Sequence, residues 1–290
     1  MTLVVALILG IIQGVFEFVP VSSTSHFVLA QIWLEGRGSL TFAPDSPDLM
    51  LFDLVIHLGT VVSVVFVMRQ PLRELLSELT QELRTGVRLD APATRYMALL
   101  LLTVLTTGVL GLMFRDVLLT GFRSMLLMAT ALIITGFAIW WTDSMRTGQT
   151  LGSLRFGWRG AQQITVGIAL AIGVAQALAL YPGISRSGIT IFVALLVGMQ
   201  RETAARYSFL VAIPTIIAAT AFEALAMLGE PGAYSIGIAP LAIGFLSAAA
   251  VGTVALIAVL KLLEAARFRV FSVYVWALAL TVIVIGPTVF

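Results

Sequence analysis

Two short stretches of this sequence hold most of the residues that could do covalent chemistry. The first runs Glu17-Phe18-Val19-Pro20-Val21-Ser22-Ser23-Thr24-Ser25-His26, with Gln13 one helical turn before Glu17. A carboxylate, hydroxyls and an imidazole this close together suit proton transfer, nucleophilic attack or metal-assisted hydrolysis. The second runs Pro182-Gly183-Ile184-Ser185-Arg186-Ser187-Gly188-Ile189-Thr190, just ahead of a short apolar run. Hydroxyls, a guanidinium and a helix N-terminus make a cradle for phosphate, and a chloride or carboxylate site would use the same parts. Asp53 and His57, four apart, can face one cavity as a supporting shell, and Glu223 is the remaining ionisable group in an apolar run. Such groups are costly in a membrane and mark pathways or sites. Each also has a plainer role. The serines can cap helices, Arg186 can pair structurally with Glu17, His26 can be a satisfied interfacial histidine, Asp53 and His57 can brace one helix, and Glu223 can be solvated at a helix end.

The elements that must position these groups follow from composition. Of 290 residues, 59% are hydrophobic and 11% charged, and the mean hydropathy is +1.04. Soluble domains carry about 25% charged residues, so the chain is expected to be an all-α integral membrane protein. There is no Cys, which excludes disulfides and thiolate metal sites. No Lys or Arg precedes Arg37, so the first apolar run lacks the basic start of a signal peptide and is expected to stay in the mature protein. Six apolar runs are long enough to span: about 51–67, 93–114, 118–141, 204–227, 236–260 and 270–289. Four others form two pairs, 2–19 with 25–33 and 161–181 with 188–199, each interrupted by one of the Pro- and Ser-bearing stretches. The short second members cannot cross ~30 Å at 1.5 Å per residue, so each pair reads as a re-entrant hairpin.

The pairs resemble one another. Gly10-x-x-Gln13 followed by Pro20 and Ser22-Ser23 parallels Gly173-x-x-Gln176 followed by Pro182 and Ser185. Each pair precedes three spans, which predicts an inverted-topology repeat within one polytopic membrane domain. The first repeat covers 1–141, the linker 142–160 and the second repeat 161–290. Such a repeat brings the acid–base group of one break and the anion grip of the other to a shared midplane. Thirteen of the seventeen basic residues fall in or beside loops around 69–92, 142–160, 200–206 and 261–269, which the positive-inside bias places in the cytoplasm. Both termini are then outside. Within 69–90, Leu72, Leu75, Leu76, Leu79, Leu83 and Val87 recur at helical spacing among Arg and Glu, the pattern of an interfacial amphipathic helix.

The two breaks also carry a resemblance. The first matches the motif of the BacA/UppP family of undecaprenyl-diphosphate phosphatases. There Glu or Gln, three residues and Glu precede Phe-Leu-Pro-Ile/Val-Ser-Ser-Thr/Ser-Gly-His, and here the stretch runs from Gln13 to His26. Ser25 stands where the family usually has Gly, and a backbone with positive φ at that position would strain a serine. Pro-Gly-x-Ser-Arg-Ser-x-x-Thr is matched by Pro182 to Thr190. Phe52-Asp53-Leu54-Val55-Ile56-His57-Leu58-Gly59-Thr60 and Ala205-Arg206-Tyr207-Ser208-Phe209-Leu210 are similar to family stretches too, so the likeness runs in order over nearly the whole chain.

The resemblance implies hydrolysis of undecaprenyl diphosphate to the monophosphate at the outer face of the bacterial inner membrane, recycling the peptidoglycan carrier lipid. It implies a divalent cation, Mg²⁺ or Ca²⁺, handled by Gln13 and Glu17. Ser23 would attack or orient the β-phosphate and His26 would move the proton. Arg186, with Ser22, Ser185, Ser187 and Thr190, would hold the diphosphate. The partners expected are the polyprenyl lipid and the membrane, with a homodimer admissible and no nucleic acid. A polyprenyl-phosphate transporter or flippase is the competing reading, because broken helices and a midplane anion site are also transporter parts. The Glu17, Ser23 and His26 group, which a pure phosphate binder would not need, favours the enzyme. A Ser–His intramembrane protease fits less well, since Arg186 would stand where a substrate carbonyl needs no cation. The Ser-Arg-x5-His motif of other lipid phosphatases fails at Phe192.

Overall fold

Long apolar runs leave backbone N–H and C=O groups no partner but one another, and helix is the local answer. The computed structural model is helical almost throughout. It describes residues 1–40, 42, 46–86, 88, 90–122, 124–145, 149–151, 154–157, 159–228 and 234–289. In chain order the helices are α1 (Leu3–Phe18), α2 (Ser23–Gly36), α3 (Pro47–Val67), α4 (Arg69–Thr85), α5 (Pro92–Met113), α6 (Arg115–Phe122) and α7 (Met125–Thr142). A two-stranded antiparallel ribbon, β1 (Thr150–Leu151) with β2 (Leu154–Arg155), and a 3₁₀ turn, Ala161–Gln163, follow. Then come α8 (Val166–Leu178), α9 (Arg186–Leu196), α10 (Arg201–Leu228), α11 (Ile238–Glu264) and α12 (Arg269–Val289). Among the described residues α3, α5, α7, α10 and α11 are long and apolar enough to cross a membrane. The chain is a multi-pass, all-α membrane protein.

Three expected boundaries move, each for a local reason. The run 118–141 is not one helix: Ser124 accepts the N–H of Leu127 at 3.3 Å and starts α7 afresh behind the short α6. The amphipathic helix stops at Thr85, because Gly86 takes φ 115, and Val87 lies outside the described residues. The run 161–181 turns helical only after Thr165, whose hydroxyl accepts the N–H of Ile168. The run 270–289 forms α12, 21 residues long, as expected. Within the expected linker, residues 146–148, 152–153 and 158 lie outside the described residues.

The chain forms two compact units. The first comprises Met1–Val19, Ser23–Val67 and Ala212–Val259. Its core gathers Leu9, Phe27, Leu34, Leu49, Phe52 and Ile56 with Ile236 and Ala248. Where α1 crosses α11, small residues let the backbones touch: a Cβ on Gly14 would lie 2.8 Å from the Ala248 carbonyl oxygen. At the start of α3, the Asp48 carboxylate accepts the N–H groups of Ser235 and Ile236 at 2.7 and 2.8 Å and the Ser235 hydroxyl at 2.9 Å.

The second unit comprises Pro20–Ser22, Met68–Val211 and Leu260–Phe290. Here α5 and α8 are joined by buried hydroxyls. Thr103 donates to the Ala169 carbonyl at 3.1 Å and Thr107 to that of Gly173 at 3.1 Å, while Gln176 donates to Thr107. Tyr207 reaches Thr103 at 2.8 Å and the Leu99 carbonyl at 3.0 Å. Arg201 donates to the carbonyls of Thr142 at 2.7 Å and Leu263 at 3.4 Å, setting a positive charge at the C-terminal ends of α7 and α11. Asp143 in turn accepts the Arg269 N–H at 2.9 Å, at the start of α12.

Outside the spans, Glu82 of α4 accepts the N–H groups of Ala93 and Thr94 and the Thr94 hydroxyl. Desolvation pulls its carboxyl upward, but these hydrogen bonds outweigh it and hold the pKa below the usual carboxylate value. A depressed carboxylate stabilises the fold above its unfolded pKa and loses that contribution as pH falls through its folded one. The protection of the Ala93 and Thr94 amides, the slowing of their exchange relative to an unstructured peptide at the same pH, should therefore be high at neutral pH, fall as pH drops through the depressed pKa of Glu82, and be lost at neutral pH in Glu82→Ala. A second expectation concerns the α1–α11 crossing. Gly14→Val should cost about 1–3 kcal/mol through overpacking, read as a fall in the melting temperature of the detergent-solubilised protein.

Candidate active site at two helix breaks

The first break follows from Pro20, which has no N–H to continue α1. The chain then turns through Ser22, one of two non-glycine residues with positive φ among the described residues, at φ 69. Ser25 does not carry that strain. It sits in the first turn of α2, fully buried, so the usual glycine of the family is not needed here for its φ.

In the first unit, one carboxylate oxygen is the meeting point. Glu17 Oε2 accepts from Gln13 Nε2 at 3.0 Å and from the Ser23 hydroxyl at 3.3 Å. His57 Nε2 stands 4.0 Å from the same oxygen. The far side of that imidazole is fixed: Nδ1 lies 2.8 Å from the Asp53 carbonyl oxygen and 3.4 Å from its carboxylate. Gln13 and Glu17 are buried, at 1% and 7% exposure. Asp53 and His57 thus brace each other on α3, with the His57 ring next to Glu17. His26 is buried and stacks on Phe16, with ring centroids 3.8 Å apart and planes 20° apart. Glu223 is exposed on α10, within electrostatic range of Asp53 and His57.

In the second unit, the turn from Pro20 to Ser22 meets the second break. Gly183 N–H donates to the Ser22 hydroxyl at 3.2 Å. Gly183 has φ 101 and lies so close to α7 that an added Cβ would be 2.5 Å from the Met128 carbonyl oxygen. Thr135, also on α7, donates to the Gly183 carbonyl at 2.8 Å and accepts the Ser185 N–H at 3.1 Å. Ser185 caps α9 by accepting the Gly188 N–H at 3.2 Å, and its hydroxyl lies 3.4 Å from that of Ser187. Arg186 is the first residue of α9 and half-buried. Thr190 donates to the Arg186 carbonyl at 2.7 Å and meets the Ser208 hydroxyl at 2.6 Å. Ser185, Ser187 and Thr190 therefore form one buried hydroxyl cluster around the helix start that carries Arg186.

The sequence missed two members of this arrangement. Ser208 lies in a stretch recognisable by its likeness, Ala205 to Leu210, yet nothing in its spacing assigned it a role. Thr135 has no sequence signal, since one threonine in an apolar run could face any side.

The donor set can be tested against a divalent ion. Among the described residues no group of three or more His, Asp or Glu side chains is arranged to enclose one. Glu17 and Gln13 together offer a buried carboxylate and a carboxamide oxygen. That set fits a hard cation of the Mg²⁺ type, which takes one or two carboxylates and completes its shell with water and substrate phosphate.

Comparison with known proteins places this geometry. The family described as "Bacitracin resistance protein BacA" matches residues 6–281. A protein of Halorhodospira halophila named undecaprenyl-diphosphatase is 42% identical over 289 residues, covering 98% of this chain and 97% of its own. One of the same name from Alkalilimnicola ehrlichii is 42% identical over 287 residues, covering 97% and 95%. Another, from Moorella thermoacetica, is 35% identical over 286 residues, covering 98% of each. Both breaks lie inside the matched region, and the chain belongs to the bacitracin resistance protein BacA family.

Proposed function

We propose that this chain hydrolyses undecaprenyl diphosphate to undecaprenyl phosphate and inorganic phosphate, as the names of its relatives state for them. The observation that carries the reading is the Ser23 hydroxyl donating to a buried carboxylate, Glu17 Oε2, at 3.3 Å. A protein that only binds or carries a lipid phosphate has no use for a hydroxyl beside a base. Nothing beyond the broken helices themselves favours the carrier reading.

The chemistry assigned to each residue is as follows. Ser23 Oγ attacks the terminal phosphorus while its proton passes to Glu17 Oε2. The anhydride P–O bond breaks, undecaprenyl phosphate leaves, and Ser23 carries the phosphoryl group. Water then attacks that phosphorus, His26 takes the water proton and later passes it to solvent, and the P–Oγ bond breaks as Glu17 returns its proton to Oγ, releasing phosphate and restoring both the serine and the carboxylate. His26 lies three residues after Ser23 on α2, on the same side of the helix. Arg186, the first residue of α9, is the cation assigned to the phosphate, whose equatorial oxygens gather charge during transfer. A divalent cation at Glu17 and Gln13, when bound, supplies further neutralisation. His57, steadied by Asp53, limits the orientations open to the Glu17 carboxylate.

The arginine distribution supports a seat in the bacterial inner membrane with both termini and the reaction outside. A single cysteine at Ser39 should then label in intact cells, and one at Ser77 of α4 only after permeabilisation; labelling at Ser77 in intact cells would reverse the orientation. If Arg186 grips phosphate with its planar fork, Arg186→Lys should fail nearly as badly as Arg186→Ala, and a lysine variant with parental turnover would show that charge alone suffices. The acid–base group is tested by Glu17→Gln, Ser23→Ala and His26→Ala. Each should lose at least about two orders of magnitude in phosphate release while retaining lipid in a parallel binding assay. Parental turnover in all three would remove the chemistry from the first break.

A further inference from the structure

A separate feature lies wholly within the second unit. Helix α4 is tied to the start of α5 near its C-terminal end, where Glu82 accepts at 3.0 Å from Ala93 N–H and at 2.7 and 2.8 Å from the Thr94 N–H and hydroxyl. Ahead of that tie a cavity of about 530 Å³ separates α4 from α5 and α10, within the range of small-molecule sites. The consequence shows on α4 itself: Leu72, Leu75 and Leu79 form its apolar stripe, yet no residue of the helix is buried.

The lining is apolar below and charged above. Leu99, Ile164 and Leu210 are buried and give it a greasy floor. Of the charged lining residues, Glu74 and Glu78, one turn apart, come from α4, Arg95 from the first turn of α5 and Arg206 from the second turn of α10, while Asp90, just ahead of α5, is paired with Arg88 at 2.9 Å. Arg95 is pinned by donating to the carbonyls of Gln162 at 3.1 Å and Ile164 at 2.7 Å, and a guanidinium with five N–H donors keeps others for a ligand. Arg206 pairs with Glu202 at 2.5 Å. Both helix starts are ends of candidate spans, so the cavity lies at the level where headgroups meet the apolar core of a bilayer, and Tyr96 beside it is the ring type enriched there.

We propose that this cavity is a binding site for a zwitterionic phospholipid whose headgroup carries a primary ammonium. The ammonium sits on Glu74 and Glu78, the phosphate faces Arg95 and Arg206, and the acyl chains follow the outer side of α5, where Leu101 and Leu105 are 54% and 63% exposed. Water is a poor occupant over an apolar floor, and an anionic headgroup would leave two carboxylates facing negative charge. A trimethylated ammonium carries the charge but has no N–H to donate. The site is independent of the phosphatase reading and uses none of its residues.

Native mass spectrometry of the full-length protein tests this directly. After detergent exchange removes co-purified lipid, equal amounts of phosphatidylethanolamine, phosphatidylcholine and phosphatidylglycerol with the same acyl chains are offered together. Phosphatidylethanolamine should be retained over each of the others by about tenfold, the effect of one charge-assisted contact. Glu74→Gln/Glu78→Gln should abolish that preference, and Leu75→Trp, which fills the space, should lower retention of the lipid itself. Circular dichroism confirms that both variants keep their helices, and a variant that has lost them is replaced by the single Glu78→Gln. Equal retention of the three lipids, a preference for phosphatidylglycerol, or a preference untouched by the glutamate changes would overturn the proposal.

Discussion

A backbone inside an apolar surrounding must satisfy its own polar groups, and everything distinctive about this protein follows from where it stops doing so by helix alone. An unpaired buried N–H or C=O costs on the order of 1–3 kcal/mol, so an interrupted helix is retained only when side chains replace the missing bonds. At the second break they do. Thr135 serves both the Gly183 carbonyl and the Ser185 N–H, Ser22 takes the Gly183 N–H, and Ser185 caps α9. One of these hydroxyls, Ser185, is also the cap of the helix that starts at Arg186. A hydroxyl that accepts one capping N–H keeps its own proton and a further lone pair, so capping by Ser185 does not exclude phosphate binding by it.

The first break is organised differently. Its polar groups converge on a single oxygen, Glu17 Oε2, through Gln13, Ser23 and, at longer range, His57. A carboxylate supported from three sides in a buried position has few orientations left, and reactivity at a buried base depends on such restriction. His57 is itself held from behind by Asp53. Remote packing matters in the same way: the glycine contacts of α1 with α11 set the axis of the helix that carries Glu17.

Much of this was legible in the sequence. Helix content and the positions of the spans follow from apolar run lengths, which depend on nothing beyond the local chain. The two breaks were visible because Pro20 and Pro182 are each followed within a few residues by serines able to start a new helix, whereas Pro214, without such residues after it, lies inside α10. The pairing of Gln13 with Glu17 and of Asp53 with His57 follows from i, i+4 spacing. What could not be read depended on neighbours distant in sequence. Thr135 lies about fifty residues from the loop it holds, and nothing local marks which way it faces. Ser124 split an expected span because capping competes with an apolar run that looks continuous. Ser22, not the residue at the family's glycine position, took the left-handed conformation, because the turn after Pro20 had to close one residue before α2 began.

The central claim is that the Ser23 hydroxyl, activated by Glu17, does the covalent work. The most direct measurement is a single-turnover reaction with undecaprenyl diphosphate labelled at its terminal phosphorus, quenched in neutral denaturant, which preserves phosphoserine and phosphohistidine alike, and mapped by peptide mass spectrometry. The account predicts transient label on Ser23, accumulating when His26 is replaced by alanine and absent when Glu17 is replaced by glutamine. Label on His26, or full turnover with no residue ever labelled and oxygen from water entering the phosphate directly, would contradict it.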